Sequence, residues 1–414
     1  MEIWNRALVF IKSFLKWVLI AALVGGISGA VGTLFRVTVE HVNLLWQANR
    51  WLVFLLPAGG LLIAGLYRLA KMESSIGTDR VIRSVRAESS VPVRLGPLIF
   101  LSTAITHLLG GSAGREGAAL QIGGSIGTHV GRLFHLDEKD MSLVVLSGMS
   151  GVFSALFGTP ITSVFFALEV ISVGIIYYSG LVPCLVSSLI AYGISAIFGY
   201  GAEIQMSLSV PTAAPVPLFQ TAALGVCCAL LSILYIFSMD QAHELFERFF
   251  KNPYLRIFTG GAVLAGLSVV FSSGNYNGSG MNVIAQALDG NACWWWFLVK
   301  ILFTAITLGS GFKGGEIVPT FFIGATMGCW AGGLLGLDPG FAAAMGMVAT
   351  FCAVVNSPAA AIFLGIEMFG AQGIIYFGVA CGISYMLSGY YGLYGSQKIM
   401  YSKIKAEYIN RKAK

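Results

Sequence analysis

Charge is what this chain has least of. Asp, Glu, Lys and Arg together make up 11% of its 414 residues, less than half the roughly 25% found in ordinary soluble domains. So few charges cannot clothe a water-facing surface, which excludes a soluble enzyme. Histidine is also scarce: the five copies are scattered and form no HxxxH or HExxH pair, so no metal or haem site is expected. The seven cysteines (Cys184, Cys227, Cys228, Cys293, Cys329, Cys352, Cys381) lie in apolar stretches without ligand spacing. They read as packed small hydrophobes, neither disulfide partners nor ligands. No nucleophile or metal cluster supports a lipid-modifying enzyme, and no cofactor is expected. What abounds is apolar: 56% hydrophobic residues and 52 glycines, with a mean hydropathy of +0.80. The chain is an integral membrane protein with one polytopic membrane domain.

A helix needs about 20 apolar residues to cross a bilayer. Candidate spans lie at 17–35, 51–70, 95–109, 141–157, 161–177, 181–198, 218–237, 258–271, 294–308, 320–335, 341–355, 359–369 and 374–388. Several are too short to cross alone and are broken by Gly or Pro, which points to tilted, interrupted helices. The net charge of +6 sits at loop and chain ends, the positive-inside pattern of a membrane protein and not a nucleic-acid stripe. Lys71, Arg80, Arg83, Arg86 and Arg94 fill one loop, and six Lys or Arg follow Tyr394 against Glu407 alone. Both are cytoplasmic if the N-terminus is. No cleavable signal peptide and no soluble regulatory domain are expected.

The chain repeats itself. Thr103-Ala-Ile-Thr106 leads into Gly114-Arg115-Glu116, and Thr304-Ala-Ile-Thr307 leads into Gly314-Gly315-Glu316. Phe153, Ala155, Pro160, Phe165 and Glu169 match Phe351, Ala353, Pro358, Phe363 and Glu367. The expected organisation is a first transmembrane repeat at 1–200, then 201–256 with the first span of the second half and a polar linker (239–256). The remainder of the second repeat and a basic tail fill 257–414. Transporters built from such repeats place their substrate near the midplane, where broken helices meet.

Each repeat sets a glycine-rich loop and an acid just before an apolar helix, Gly110–Gly117 in the first and Gly309–Pro319 in the second. Proline suits a first helical turn. The free amides and positive dipole end of such helices attract anions. Glu116 would stand where an anion binds: as a carboxylate it competes with the anion, and once protonated it swings away carrying a proton. An ionisable group inside a membrane is costly and marks function by default. The alternative is a pairing with Arg115 or a lysine that staples two helices.

Gly114-Arg115-Glu116-Gly117, the Gly-Gly-x-x-x-Pro of Gly314 to Pro319, and the late Tyr394 resemble the CLC family of chloride channels and anion/proton antiporters. The resemblance runs from the first span to Tyr394. It implies an all-α fold of two inverted-topology helical repeats with interrupted helices, a pore in each subunit, and a homodimer. It also implies that Glu116 is the gating glutamate and proton carrier. Backbone amides of Glu116, Gly117, Ile317 and Val318 would bind the ion, with the Tyr394 hydroxyl at the inner end. Thr78, Arg115, Gln121, Gly315 and Glu316 complete the candidate ion-binding set.

The fluoride-exporting branch is the more similar one. It carries Gly-Arg-Glu-Gly-x-x-x-Gln and Gly-Gly-Glu, matched here by Gln121 and Glu316. Chloride members usually have an apolar residue at Glu316 and a proline at Ala118. Chloride/proton exchangers keep an inner acid where this chain has Val170, a difference that fits a fluoride-type antiporter and a chloride channel equally. Against this, Gly77-Thr78-Asp79-Arg80-Val81 departs from both patterns. The Thr78 hydroxyl can donate to an anion as a chloride-type serine does, and Val318 stands where some fluoride members have threonine. The expected function is fluoride export in exchange for protons; the alternative is a chloride/proton antiporter or chloride channel. The expected setting is a bacterial inner membrane, both termini cytoplasmic, with fluoride or chloride, protons and lipid as partners.

The remaining features have plainer readings. Asp79 and Arg80 read as a solvated loop pair and Lys313 as a rim salt bridge. Trp294–Trp296 reads as an interfacial belt. Phe321-Phe322 reads as packing against lipid or core. Glu169 and Glu367 read equally as helix caps or as members of a proton wire.

Overall fold

The computed structural model describes residues 2–72, 77–201, 204, 206, 208–271 and 274–413. Among them, sixteen α-helices fall into two series of eight. The first is α1 (Glu2–Ala48), α2 (Leu56–Leu69), α3 (Thr78–Val85), α4 (Leu95–Leu108), α5 (Glu116–Leu133), α6 (Glu138–Phe157), α7 (Pro160–Glu169) and α8 (Leu181–Ile197). The second is α9 (Pro215–Phe249), α10 (Pro253–Val270), α11 (Met281–Leu288), α12 (Trp296–Gly309), α13 (Ile317–Leu334), α14 (Pro339–Val355), α15 (Pro358–Phe369) and α16 (Ile374–Leu387). Partners in the two series match in length: α4 and α12 have 14 residues, α5 and α13 have 18, α3 and α11 have 8. Among the described residues, seven helices are long and apolar enough to cross a membrane, and others are too short to do so. The architecture is an all-α membrane fold of inverted repeats with interrupted helices.

Glycine sets how closely the central helices pack. Gly123 and Gly127 on α5 are spaced Gly-x-x-x-Gly, as are Gly324 and Gly328 on α13, the pattern that lets membrane helices touch along their backbones. A Cβ on Gly148 of α6 would lie 2.1 Å from the Gly123 carbonyl oxygen, and one on Gly346 of α14 would lie 2.4 Å from that of Gly324. The same crossing therefore holds each repeat together. Between the repeats, Phe321 of α13 packs edge-on against Phe157 of α6, and within its own repeat against Phe351 of α14. Phe321 and Phe322 are fully buried core residues, not lipid-facing ones.

Several boundaries differ from the sequence reading. The helix around the first span extends to Ala48, because no Gly or Pro follows Gly32 until Pro57. The polar stretch expected as a linker is helical to Phe249, and Pro253 starts the next helix. The helix after the first glycine loop begins at Glu116 itself, not near Ala118. The tail forms a small sheet: β1 (Ser172–Val173) pairs in parallel with β2 (Lys398–Tyr401), which pairs antiparallel with β3 (Tyr408–Lys412). The seven cysteines are free; Cys293 is exposed, not packed in an apolar interior.

Candidate ion site between facing helix starts

Both glycine loops are built the same way. Gly110 (φ +79) ends α4 and Gly311 (φ +109) ends α12, a left-handed turn that glycine adopts without strain. Each loop folds back on its helix: Gly111 N–H donates to Thr106 O (2.8 Å), and Phe312 N–H to Thr307 O (3.3 Å). The threonines of the second Thr-Ala-Ile-Thr block also hold the first loop. Thr307 Oγ1 accepts from Ser112 N (3.1 Å), and Thr304 Oγ1 bonds Ser112 Oγ (3.1 Å). The loops then join directly. Gly114 and Gly315 exchange two N–H···O=C bonds of 2.7 Å each, which sets the N-termini of α5 and α13 face to face.

Glu116 lies across that junction, fully buried. Its Oε2 accepts from Arg115 N on its own loop (3.1 Å) and from Val318 N on α13 (3.2 Å). Oε1 has no partner among the described residues. The first-turn amides of a helix have no intrahelical acceptor, so the carboxylate sits where two dipoles favour an anion. Only glycine fits around it: a Cβ on Gly114 would lie 2.2 Å from Oε2, and one on Gly315 2.7 Å. The Arg115 guanidinium turns toward Glu40 on α1 (3.6 Å). It borders a cavity of about 670 Å³ that Arg36, Glu40, His107 and Val318 also line, so Arg115 contributes its amide to Glu116 and its charge to this vestibule. Gly315 donates its own N–H to Gly114 O (2.7 Å) and leaves room beside Glu116.

A second polar group lies beyond Gly117. Thr78 opens a helix where the sequence reading saw a loop; α3 starts there after Gly77. Thr78 Oγ1 donates to Gly117 O and accepts from Gln121 Nε2, both at 3.4 Å. Glu316, at the N-cap of α13, reaches the same place: Oε2 would stand 3.1 Å from a Cβ on Gly117. Gln121 Oε1, Glu316 Oε2 and the Tyr394 hydroxyl have no partner among the described residues. Tyr394 is buried and within electrostatic reach of Glu316 and Glu116. Thr78, Gly117, Gln121 and Glu316 thus meet next to the Glu116–Val318 contact, and Ile317, the first residue of α13, is buried.

The sequence reading missed two residues here, His107 and Tyr235. His107 bonds the Gly114 carbonyl (3.1 Å) and Asn43 of α1 (3.1 Å); its place just before the first glycine loop was the available signal. Tyr235 of α9 donates to Glu316 O (3.1 Å), and nothing local marked it. Asp79 does not pair with Arg80. Its Oδ1 accepts from Ser396 N (2.8 Å) and Ser396 Oγ (2.6 Å), while Arg80 Nε donates to Ser90 O. Lys313 lies over the Tyr67 ring, 4.8 Å from its centroid.

Comparison with known proteins agrees with this geometry. The family described as voltage gated chloride channel matches residues 59–389. A chloride/fluoride channel protein of Pseudomonas syringae pv. tomato is 31% identical over 94% of this chain and 87% of its own length. The H(+)/Cl(-) exchange transporter ClcA of Vibrio campbellii is 28% identical over 84% of this chain and 81% of its own. The crystal structure of a CLC-type fluoride/proton antiporter superposes with a TM-score of 0.90 at 30% identity, covering 92% of this chain and 98% of that one. With two glycine loops bridged at Gly114 and Gly315 and an acid across the join, this chain belongs to the voltage-gated chloride channel, or CLC, family.

Proposed function

We propose that the chain is a fluoride/proton antiporter that exports fluoride in exchange for protons, with Glu116 serving both ions in turn. The observation that carries this reading is the seating of the Glu116 carboxylate on amides from both repeats, Arg115 N and Val318 N. An ionised carboxylate there is an anion in the anion's place. An entering halide competes for the same donors and displaces it. Taking up a proton (Glu–COO⁻ + H⁺ → Glu–COOH) removes the charge that held it, and the neutral side chain leaves with the proton. Competition of one anion with one carboxylate couples the two movements.

Fluoride is favoured by Gln121 and Glu316, the residue types that the fluoride-exporting branch carries at these places; Gln121 Nε2 donates to Thr78 Oγ1, and Glu316 Oε2 stands beside Gly117. The name of the Pseudomonas relative and the antiporter fold match support it further. A chloride/proton antiporter or chloride channel is the second reading, favoured by the Thr78 hydroxyl at the start of α3 beside Gly117. Parallel fluoride and chloride efflux from loaded liposomes separates the two: fluoride leaves faster under the first reading, chloride as fast or faster under the second.

We further propose a homodimer in a bacterial inner membrane, with a complete pore in each subunit. Both termini are cytoplasmic in this reading. The tail and the basic segment 77–94 that holds α3 share a face, as the Asp79–Ser396 and Glu88–Lys398 contacts require, which suits the positive-inside rule. Residues 1–200 form the first repeat, 201–256 open the second and 257–414 complete it.

A further inference from the structure

Three helix ends of the first repeat meet on the face that carries the tail, and each brings a cation: Lys71 after α2, Arg94 before α4 and Arg132 in the last turn of α5. With Arg80 of α3 they line a cavity of about 480 Å³, and no acidic side chain among the described residues lines it. Lys71, Arg94 and Arg132 make no ion pair among the described residues. A cation at a helix C-terminus is favoured by the dipole, which accounts for Lys71 and Arg132. Arg94 has no such account: it precedes the N-terminus of α4, where the dipole disfavours positive charge and favours an anion.

Val93 lines this basic cavity and also a second one of about 490 Å³ between α1, α4 and α5. The second is apolar, walled by Val31, Pro97, Phe100, Ile122 and Ile126. From Ile122 to Val130 it follows α5 for about 12 Å at 1.5 Å per residue. Gly96 leaves room beside Ser125, whose hydroxyl is already committed to Val93 O. A four-cation pocket that shares Val93 with an adjoining apolar groove in a membrane-spanning chain is complementary to one ligand class. We propose that this is a binding site for an anionic phospholipid, headgroup among Lys71, Arg80, Arg94 and Arg132 and one acyl chain in the α1–α4–α5 groove.

The test uses the purified full-length protein, delipidated in a neutral detergent and titrated with phosphatidylglycerol or phosphatidylcholine of equal chain length, with bound lipid counted by native mass spectrometry. The protein is expected to retain phosphatidylglycerol preferentially. Replacing Lys71, Arg94 and Arg132 with Gln should weaken it by about a hundredfold, at about fivefold per surface cation, and leave phosphatidylcholine unchanged. Ile126→Trp, which fills the groove, should weaken both lipids without altering the oligomeric mass. Equal retention of the two lipids by the wild-type protein overturns the proposal, as does a triple variant that binds like wild type. Displacement of phosphatidylglycerol by inorganic phosphate alone would mean a free-anion site, and a change of oligomeric mass in Ile126→Trp would mean that a second copy occupies the groove; either result also overturns it.

Discussion

Glu169 and Glu367 cap each other's helices. Glu169, the last residue of α7, accepts from Ala359 N and Ala360 N at the start of α15 (3.2 and 3.0 Å). Glu367, near the end of α15, accepts from Ile161 N, Thr162 N and Thr162 Oγ1 at the start of α7 (2.8, 2.8 and 2.6 Å). Each repeat thus satisfies the orphan amides of the other, and Phe165 stacks on Phe363 between them. Of the two readings open from the sequence, capping is the one this geometry supports.

Glu367→Ala should therefore lower stability, by about 1–3 kcal/mol for the amides left unpaired, and leave the proton-to-anion ratio unchanged. Thermal unfolding in detergent alongside coupled flux in liposomes tests both halves of that statement. A lost or altered ratio in a normally stable Glu367→Gln protein would instead place the residue on a proton route.

At the inner end, Asp79 ties the start of α3 to the turn that follows Tyr394, and Arg86 holds the same turn through Ser396 O (2.8 Å). Asp79→Ala should lower thermal stability by about 1.5–3 kcal/mol, the contribution of hydrogen bonds to a charged group. Asp79→Asn, which keeps an acceptor at Oδ1, should lose much less. Thermal unfolding in detergent decides the order.

The helix crossings leave no room for a methyl group. Gly148→Ala or Gly346→Ala places a Cβ against a backbone oxygen of the facing helix, overpacking that costs about 1–3 kcal/mol or more. Separating α5 from α6, or α13 from α14, also moves a helix start away from Glu116. Both variants should lose anion flux along with thermal stability.

The tail has its own pH dependence. Arg86 and Lys398, both bonded to Glu88 (3.1 and 2.6 Å), hold its carboxyl at about 2, below the usual 4.5. A lowered acid stabilises the folded form above its unfolded value, and the contribution fades as pH falls from about 4.5 toward 2. Glu88 is exposed, so the effect is small and screened by salt. Glu88→Gln should make the tail more protease-sensitive than wild type by a constant factor from pH 8 to about 5, and the gap should close below 4.5.

The site was legible in the sequence because its parts are local: two glycine runs, an acid at each, and a repeated Thr-Ala-Ile-Thr block fix which helices face each other. Gly114, Glu116 and Val318 followed from that. Contacts between distant segments did not. Asp79 meets Ser396 across 317 residues, and Tyr235 reaches Glu316 from the apolar stretch of α9, where nothing local marks it. The eight-residue helices α3 and α11 are too short to reveal a period, so Thr78 read as loop. Helices α1 and α9 outran their apolar segments because helix ends follow Gly and Pro, not hydropathy alone.

The account rests on Glu116 exchanging places with the anion, and Glu116→Gln reconstituted in liposomes under an outward fluoride gradient tests that most directly. Glutamine keeps the shape and an acceptor oxygen but cannot take up or release the proton. The expected result is fluoride movement without any proton uptake against its gradient. Proton pumping by Glu116→Gln at the wild-type rate would contradict it.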